Sequence, residues 1–168
     1  MFKTLRSKIA PLSLALLLII ASGFLRLFLF ENINHQLVYL YYHRDFSYLS
    51  DKLGFLKSFS YNDLMWIKWC LTGFFTITYL CLSCWVLKIV FNRNAYLWYT
   101  AYIFTGVVLI SFLLYFGGVV FEEPVGGYRL ARFCMGLVQS PLPLMILIPA
   151  FKLIENNVTV REDGNTER

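Results

Sequence analysis

The run AYLWYTAYIFTGVVLISFLLYFGGVVF, residues 95–121, carries no charged side chain. About 20 consecutive apolar residues are enough to cross the hydrocarbon core of a bilayer. A helix apolar on every face belongs in lipid or in the centre of a large domain, and a chain of 168 residues is too small to supply the second. Three other stretches have the same character. Ile9 to Phe30 is interrupted only by Arg26, and Leu64 to Phe91 holds Lys68 and Lys88 near its ends. Leu130 to Ile154 has Arg132 near its start and Lys152 near its finish. Backbone polar groups in lipid must be satisfied within the segment, and β alternation is absent, so these spans read as helices. The expectation is an all-α integral membrane bundle of four transmembrane helices, about 9–30, 64–91, 95–121 and 130–154. They form one domain over residues 1–155.

Composition agrees. The chain is 58% hydrophobic, 18% aromatic and 15% charged, with a mean hydropathy of +0.61. Ordinary soluble domains are about one quarter charged, so there is too little charge here to cover a globule. The formal charge of +5 is spread over the ends of apolar runs rather than pooled in a stripe, which argues against nucleic acid. The lipid bilayer is the expected surrounding.

The connections are short except for one. Asn92-Arg93-Asn94 is a tight link, and Glu122 to Arg129 reads as a turn containing Gly and Pro. Ser60 and Asn62-Asp63 offer capping groups where the second helix begins. Residues 31–63 read as an aromatic-rich loop lying along the interface, with Tyr39, Tyr41, Tyr42, Phe46, Tyr48, Phe55 and Phe59. The polar tail 156–168 is expected to be unordered.

Lys3, Arg6 and Lys8 precede the first span without an acid among them, which places the N-terminus in the cytoplasm. Four crossings return the C-terminus to the same side and put the 31–63 loop outside. The 15 Lys and Arg residues otherwise divide almost evenly between the two sides. A basic start followed by Ala21-Ser22-Gly23 resembles a cleavable signal peptide, but the apolar run continues to Phe30, which favours a retained anchor. The sequon Asn157-Val158-Thr159 falls in the cytoplasmic tail and carries no glycosylation expectation.

Arg26, Lys68, Arg129 and Arg132 all lie within a turn or two of one membrane face, where Glu122 and Glu123 close the third span. Helical spacing aligns Lys68, Thr72, Thr76, Tyr79 and Ser83 on one face of the second span. It aligns Arg129, Arg132, Gly136, Gln139 and Pro143 on the fourth, and Ser111, Tyr115, Gly118 and Glu122 on the third. Each stripe ends in charge at the same level. Arg26, Lys68, Glu122, Arg129, Arg132 and Gln139 are therefore the candidate contacts for an anionic group or a partner helix, with Arg132 the foremost. Snorkelling cations and interhelical packing through small residues would produce the same pattern. Pro141, Pro143 and Pro149 are expected to kink the fourth span. Broken helices border binding sites in transporters, although prolines are also common in membrane helices.

No catalytic constellation emerges. His35 and His43 lack acidic or thiol neighbours at metal spacing, and there is no nucleotide-binding fingerprint, so no cofactor is expected. Cys70, Cys81, Cys84 and Cys134 all lie within apolar runs, where thiols stay protonated. A site built from Cys134, His43 and Arg132 finds no support in their spacing.

The segment GYRLARFCMGLVQSPLPLMILIPAFKL, Gly127 to Leu153, resembles the small multipass proteins encoded beside exosortases in Bacteroidota. These are the exosortase F and exosortase X system-associated membrane proteins. Chain length and the aromatic first loop fit as well, and the remainder agrees in hydropathy. The resemblance implies a non-catalytic accessory of the bacterial inner membrane, which binds or stabilises an exosortase or its substrate's anchor. It transfers no catalytic residue. A small transporter or channel component and an intramembrane enzyme are the alternatives from other classes.

Overall fold

Helix α1 runs from Phe2 to Tyr42 without a break in the computed structural model, which describes residues 2–43 and 48–166. A 3₁₀ segment (Asp51–Ser58) follows, then α2 (Tyr61–Phe91), α3 (Asn94–Val120), α4 (Pro124–Val138) and α5 (Leu142–Thr166). Helices α1, α2 and α3 are each long and apolar enough to cross a membrane. The α4 and α5 pair passes the same test as one broken span, bent by 58°. The chain is thus an all-α multipass membrane protein with, among the described residues, three such helices, or four if the bent pair counts as one.

The 31–63 region differs from the expected loop. Hydropathy falls after Phe30, but no Gly or Pro stops the helix between Glu31 and Tyr42. A new apolar face replaces the greasy one. Ile33 and Leu37, one turn apart, are buried against Leu49, Leu53, Leu56 and Leu64. Asn32 fastens the returning chain. Its Nδ2 donates to the Phe28 carbonyl at 2.7 Å, and its Oδ1 accepts from the Ser50 backbone N–H at 2.8 Å. His43, at φ 48°, ends the helix in the left-handed region.

Helix α2 begins as expected. Ser60 and Asp63 form a capping box, each side chain accepting from the other's backbone N–H. Asn92 in the left-handed conformation (φ 53°) closes α2 and lets α3 start two residues later. The expected 122–129 turn is shorter than the sequence suggested. Pro124 occupies the first turn of α4, where its missing N–H costs nothing, so only Phe121 to Glu123 form the corner.

The fourth span, expected as one helix over 130–154, is two. The break falls at Gln139-Ser140-Pro141. Pro143 sits in the first turn of α5, and α5 runs through Pro149 unbroken, so only Pro141 belongs to the break. Helix α5 also continues through the polar tail to Thr166, since neither Gly nor Pro occurs between Pro149 and Gly164. The side chains of Lys3, Arg6 and the sequon lie outside the described ones.

Two apolar clusters organise the bundle. One joins Ile33, Leu37 and Leu64 with the 3₁₀ segment. The other joins Ile19, Tyr79, Leu87, Phe104, Leu147 and Phe151 towards the α2–α3 link. Here Tyr96 stacks on Phe151 at 4.5 Å. The site lies between these clusters.

Candidate functional site

Helix α1 packs on α2, α3 packs on α4, and α2 joins the pairs by contacting α3. Between α1 and the α3–α4 pair a cavity of about 690 Å³ opens. Its walls are largely apolar, with Leu27, Phe30, Val108, Phe112 and Met135 among them. Into it face Arg26, Lys68, Arg132 and Gln139.

Gln139 is the keystone of the polar wall. It is only 2% exposed, held where the α4 helix gives way to the break. Its Nε2 donates to the Thr72 carbonyl and to Thr76 Oγ1, both at 2.8 Å. Its Oε1 accepts from Arg26 Nε at 2.8 Å. One amide thereby ties α1, α2 and α4 together across the cavity floor. Arg26 also lies 5.5 Å from the Phe30 ring centre, a cation–π distance. Thr72 and Thr76 each donate to a carbonyl one turn back, so their hydroxyls remain on the bundle face.

Lys68 is held at the other end of the cavity. Its Nζ donates to Asn34 Oδ1 at 2.8 Å and to the Tyr128 hydroxyl at 3.1 Å. The Tyr128 ring centre lies 5.8 Å from the ammonium. Arg132 lines the cavity and is exposed. Among the described residues no carboxylate lies within ion-pair distance of Arg26, Lys68 or Arg132. Among the described residues Glu31 is the one acidic residue in the lining; it lies 3.8 Å from His35 Nε2 on its own helix, an ion pair only when that imidazole carries a proton. An unpaired Arg or Lys deep in a membrane costs about 2.5–3.5 kcal/mol on insertion scales. Amide, hydroxyl and ring contacts reduce that cost here but bring no opposite charge.

The candidate residues separate into two groups. Arg26, Lys68, Arg132 and Gln139 meet at the cavity. Glu122 and Arg129 do not: both are exposed at the α3–α4 corner and outside the lining. The corner itself is closely packed. A Cβ on Gly118 would lie 2.6 Å from Gly127 Cα, and one on Gly127 would lie 2.5 Å from Gly118 Cα. Backbones touch there. Ser111 Oγ adds a 2.8 Å hydrogen bond to the Ala131 carbonyl.

Asn34, Tyr128 and Gly127 escaped the sequence reading. Extending the Arg26–Phe30 spacing by one more turn reaches Asn34, and one turn before Arg132 stands Tyr128. Gly127 and Ala131 form a small-x-x-x-small pair, the usual mark of close helix packing. His43 stands exposed at the end of α1, and His35 tilts against Tyr48 at 6.0 Å. Among the described residues no hydrogen bond or ring contact joins either histidine to Cys134, and no metal-binding group of His, Cys, Asp or Glu forms. All four cysteines are free thiols.

A scan against protein-family models, a search of curated proteins and a search of solved structures each found no match to this chain.

Proposed function

We propose that this chain is a non-catalytic multipass accessory protein of a bacterial inner membrane. It binds or stabilises a larger membrane enzyme of an exosortase-type protein-sorting system, or that enzyme's substrate. In this reading the α4–α5 pair is a fourth span, both termini are cytoplasmic, and the end bearing the 3₁₀ segment faces outward. The basic cluster Lys3, Arg6 and Lys8 supports the orientation, and the resemblance over Gly127 to Leu153 supports the assignment.

One observation carries it: the α3–α4 corner. Phe121 is 79% exposed there, flanked by Val120 and Val125, with Glu122 and Arg129 beside them. Glu122 stands at φ 59°, a left-handed conformation that non-glycine residues seldom adopt. An apolar anchor ringed by charges of both signs has the make-up of a protein contact patch. Charges of both signs beside so exposed an aromatic ring suit a protein surface better than lipid alone.

Purification of the full chain from native membranes in mild detergent tests this. A larger membrane protein should accompany it in fixed ratio, and Phe121→Ser with Arg129→Glu should release that partner. A lone homo-oligomer, or a complex indifferent to both substitutions, refutes the assignment.

The break at Gln139-Ser140-Pro141 favours a second reading, a small transport component. Discontinuous helices line the binding sites of many transporters. Vesicles carrying the purified chain would then pass anions faster than protein-free vesicles, and Gln139→Leu would abolish the difference. Equal rates rule it out.

A further inference from the structure

The cavity has a charge and a wall chemistry that together specify its occupant. Three cations, Arg26, Lys68 and Arg132, face it against one carboxylate among the described lining residues, Glu31, which is not within ion-pair distance of any of them. The remaining walls are mainly hydrocarbon and aromatic. Its volume of about 690 Å³ lies within the ordinary range for small-molecule sites.

Location decides between sources of negative charge. The cavity lies between membrane-spanning helices, and Leu27 and Phe112 carry its apolar lining out to the exposed surface of the bundle. A free inorganic anion would satisfy the cations and leave those apolar walls uncovered. A partner helix is about 10 Å across and needs a groove running along the bundle. This lining stops at Gln139 and Thr72, where Gln139 bridges to Arg26 and Thr76. A molecule with an anionic head and a flexible apolar chain meets both conditions.

We propose that the cavity binds an anionic phospholipid, its phosphate held among Arg26, Lys68 and Arg132 and an acyl chain lying on Leu27, Phe112 and Met135. The lipid supplies the counter-charge that no described side chain brings within ion-pair distance of these cations. Basic pockets between membrane helices bind phosphate head groups by this chemistry. The inference does not depend on the accessory role or on the α3–α4 corner, whose residues lie outside the cavity.

Native mass spectrometry of the full chain, released from detergent containing phosphatidylglycerol or phosphatidylcholine, provides the test. Retention of one phosphatidylglycerol per chain is expected, with phosphatidylcholine held at least tenfold more weakly. Arg132→Gln is the informative variant, because among the described residues Arg132 has no hydrogen-bond or ion-pair partner to lose. It should weaken phosphatidylglycerol retention about tenfold, the worth of one charge-assisted contact. Arg129→Gln, one turn away and outside the cavity, should leave retention unchanged. Equal retention of the two lipids, or equal loss in both variants, overturns the proposal. So does a thermal stabilisation by inorganic phosphate alone that matches the lipid's, since that would assign the site to a free anion.

Discussion

Arg26 shows how a single side chain can be placed by residues far away in sequence. It interrupts an otherwise apolar span, and its partner Gln139 lies 113 positions further on. Replacing Gln139 with Leu would strand the Arg26 guanidinium and leave Thr76 without its amide donor. Loss of a buried partner to a charged group costs about 1.5–3 kcal/mol. Thermal unfolding in detergent should show that loss for Gln139→Leu. Gln139→Glu keeps an acceptor for Arg26 and gives it a counter-charge, so it should retain more of the stability than Leu does. Helical spacing brought Lys68, Arg132 and Gln139 into consideration, because residues three and four apart share a face, and Arg26 entered through its level near the same membrane face. It could not tell which way each face turns within the bundle. Glu122 and Arg129 belong to the same stripes and yet point off the cavity, since rotation of a helix against its neighbours is set by packing. Asn34 stayed hidden because Arg26 and Asn34 were assigned to different elements.

The elements were legible where chemistry marks their ends. Ser60 and Asp63 announce the start of α2, and the Asn92 link announces the hairpin with α3. The end of α1 was not legible from hydropathy, because a helix can leave lipid and continue on a second apolar face. Ile33 and Leu37 carried that information at a spacing of four. The break before α5 was announced by Pro141, while Pro143 and Pro149 are tolerated inside the helix. The α3–α4 contact offers a sharp test. Gly127→Ala would drive a methyl group into the Gly118 backbone, 2.5 Å away, and the helices must separate. Overpacking of this kind costs about 1–3 kcal/mol. Gly106→Ala is the matched comparison, because nothing lies within 4 Å of its added Cβ. It should be neutral or stabilising by up to about 1 kcal/mol, from helix propensity alone. A melting temperature lowered equally by both would show that the close contact carries no special weight.

At the scale of the whole molecule, two apolar clusters grip the bundle at its ends and the cavity occupies the layer between. Composition made the membrane character plain, but the arrangement of the pairs depends on contacts that no single segment contains. The orientation is open to direct measurement. Lys57 is exposed in the 3₁₀ segment and Arg93 is exposed at the α2–α3 link, with the apolar length of α2 between them. Lys57→Cys should react with a membrane-impermeant maleimide in spheroplasts, whereas Arg93→Cys should react only after permeabilisation. The reverse pattern would invert the topology, and reaction of both from outside would remove α2 as a crossing.

Helix α1 has 41 residues, or about 62 Å at 1.5 Å per residue. A bilayer with its head groups is about 40–45 Å thick. Submerging the whole rod would take a tilt of roughly 43° or more, beyond the range membrane helices adopt. Its last dozen residues, which follow the apolar run, account for roughly 18 Å of that length. The Tyr41 ring near its tip lies against Tyr42 and Tyr61. Anything that grasps that tip is held clear of the lipid, and a change in membrane thickness would raise or lower it like a float on a gauge.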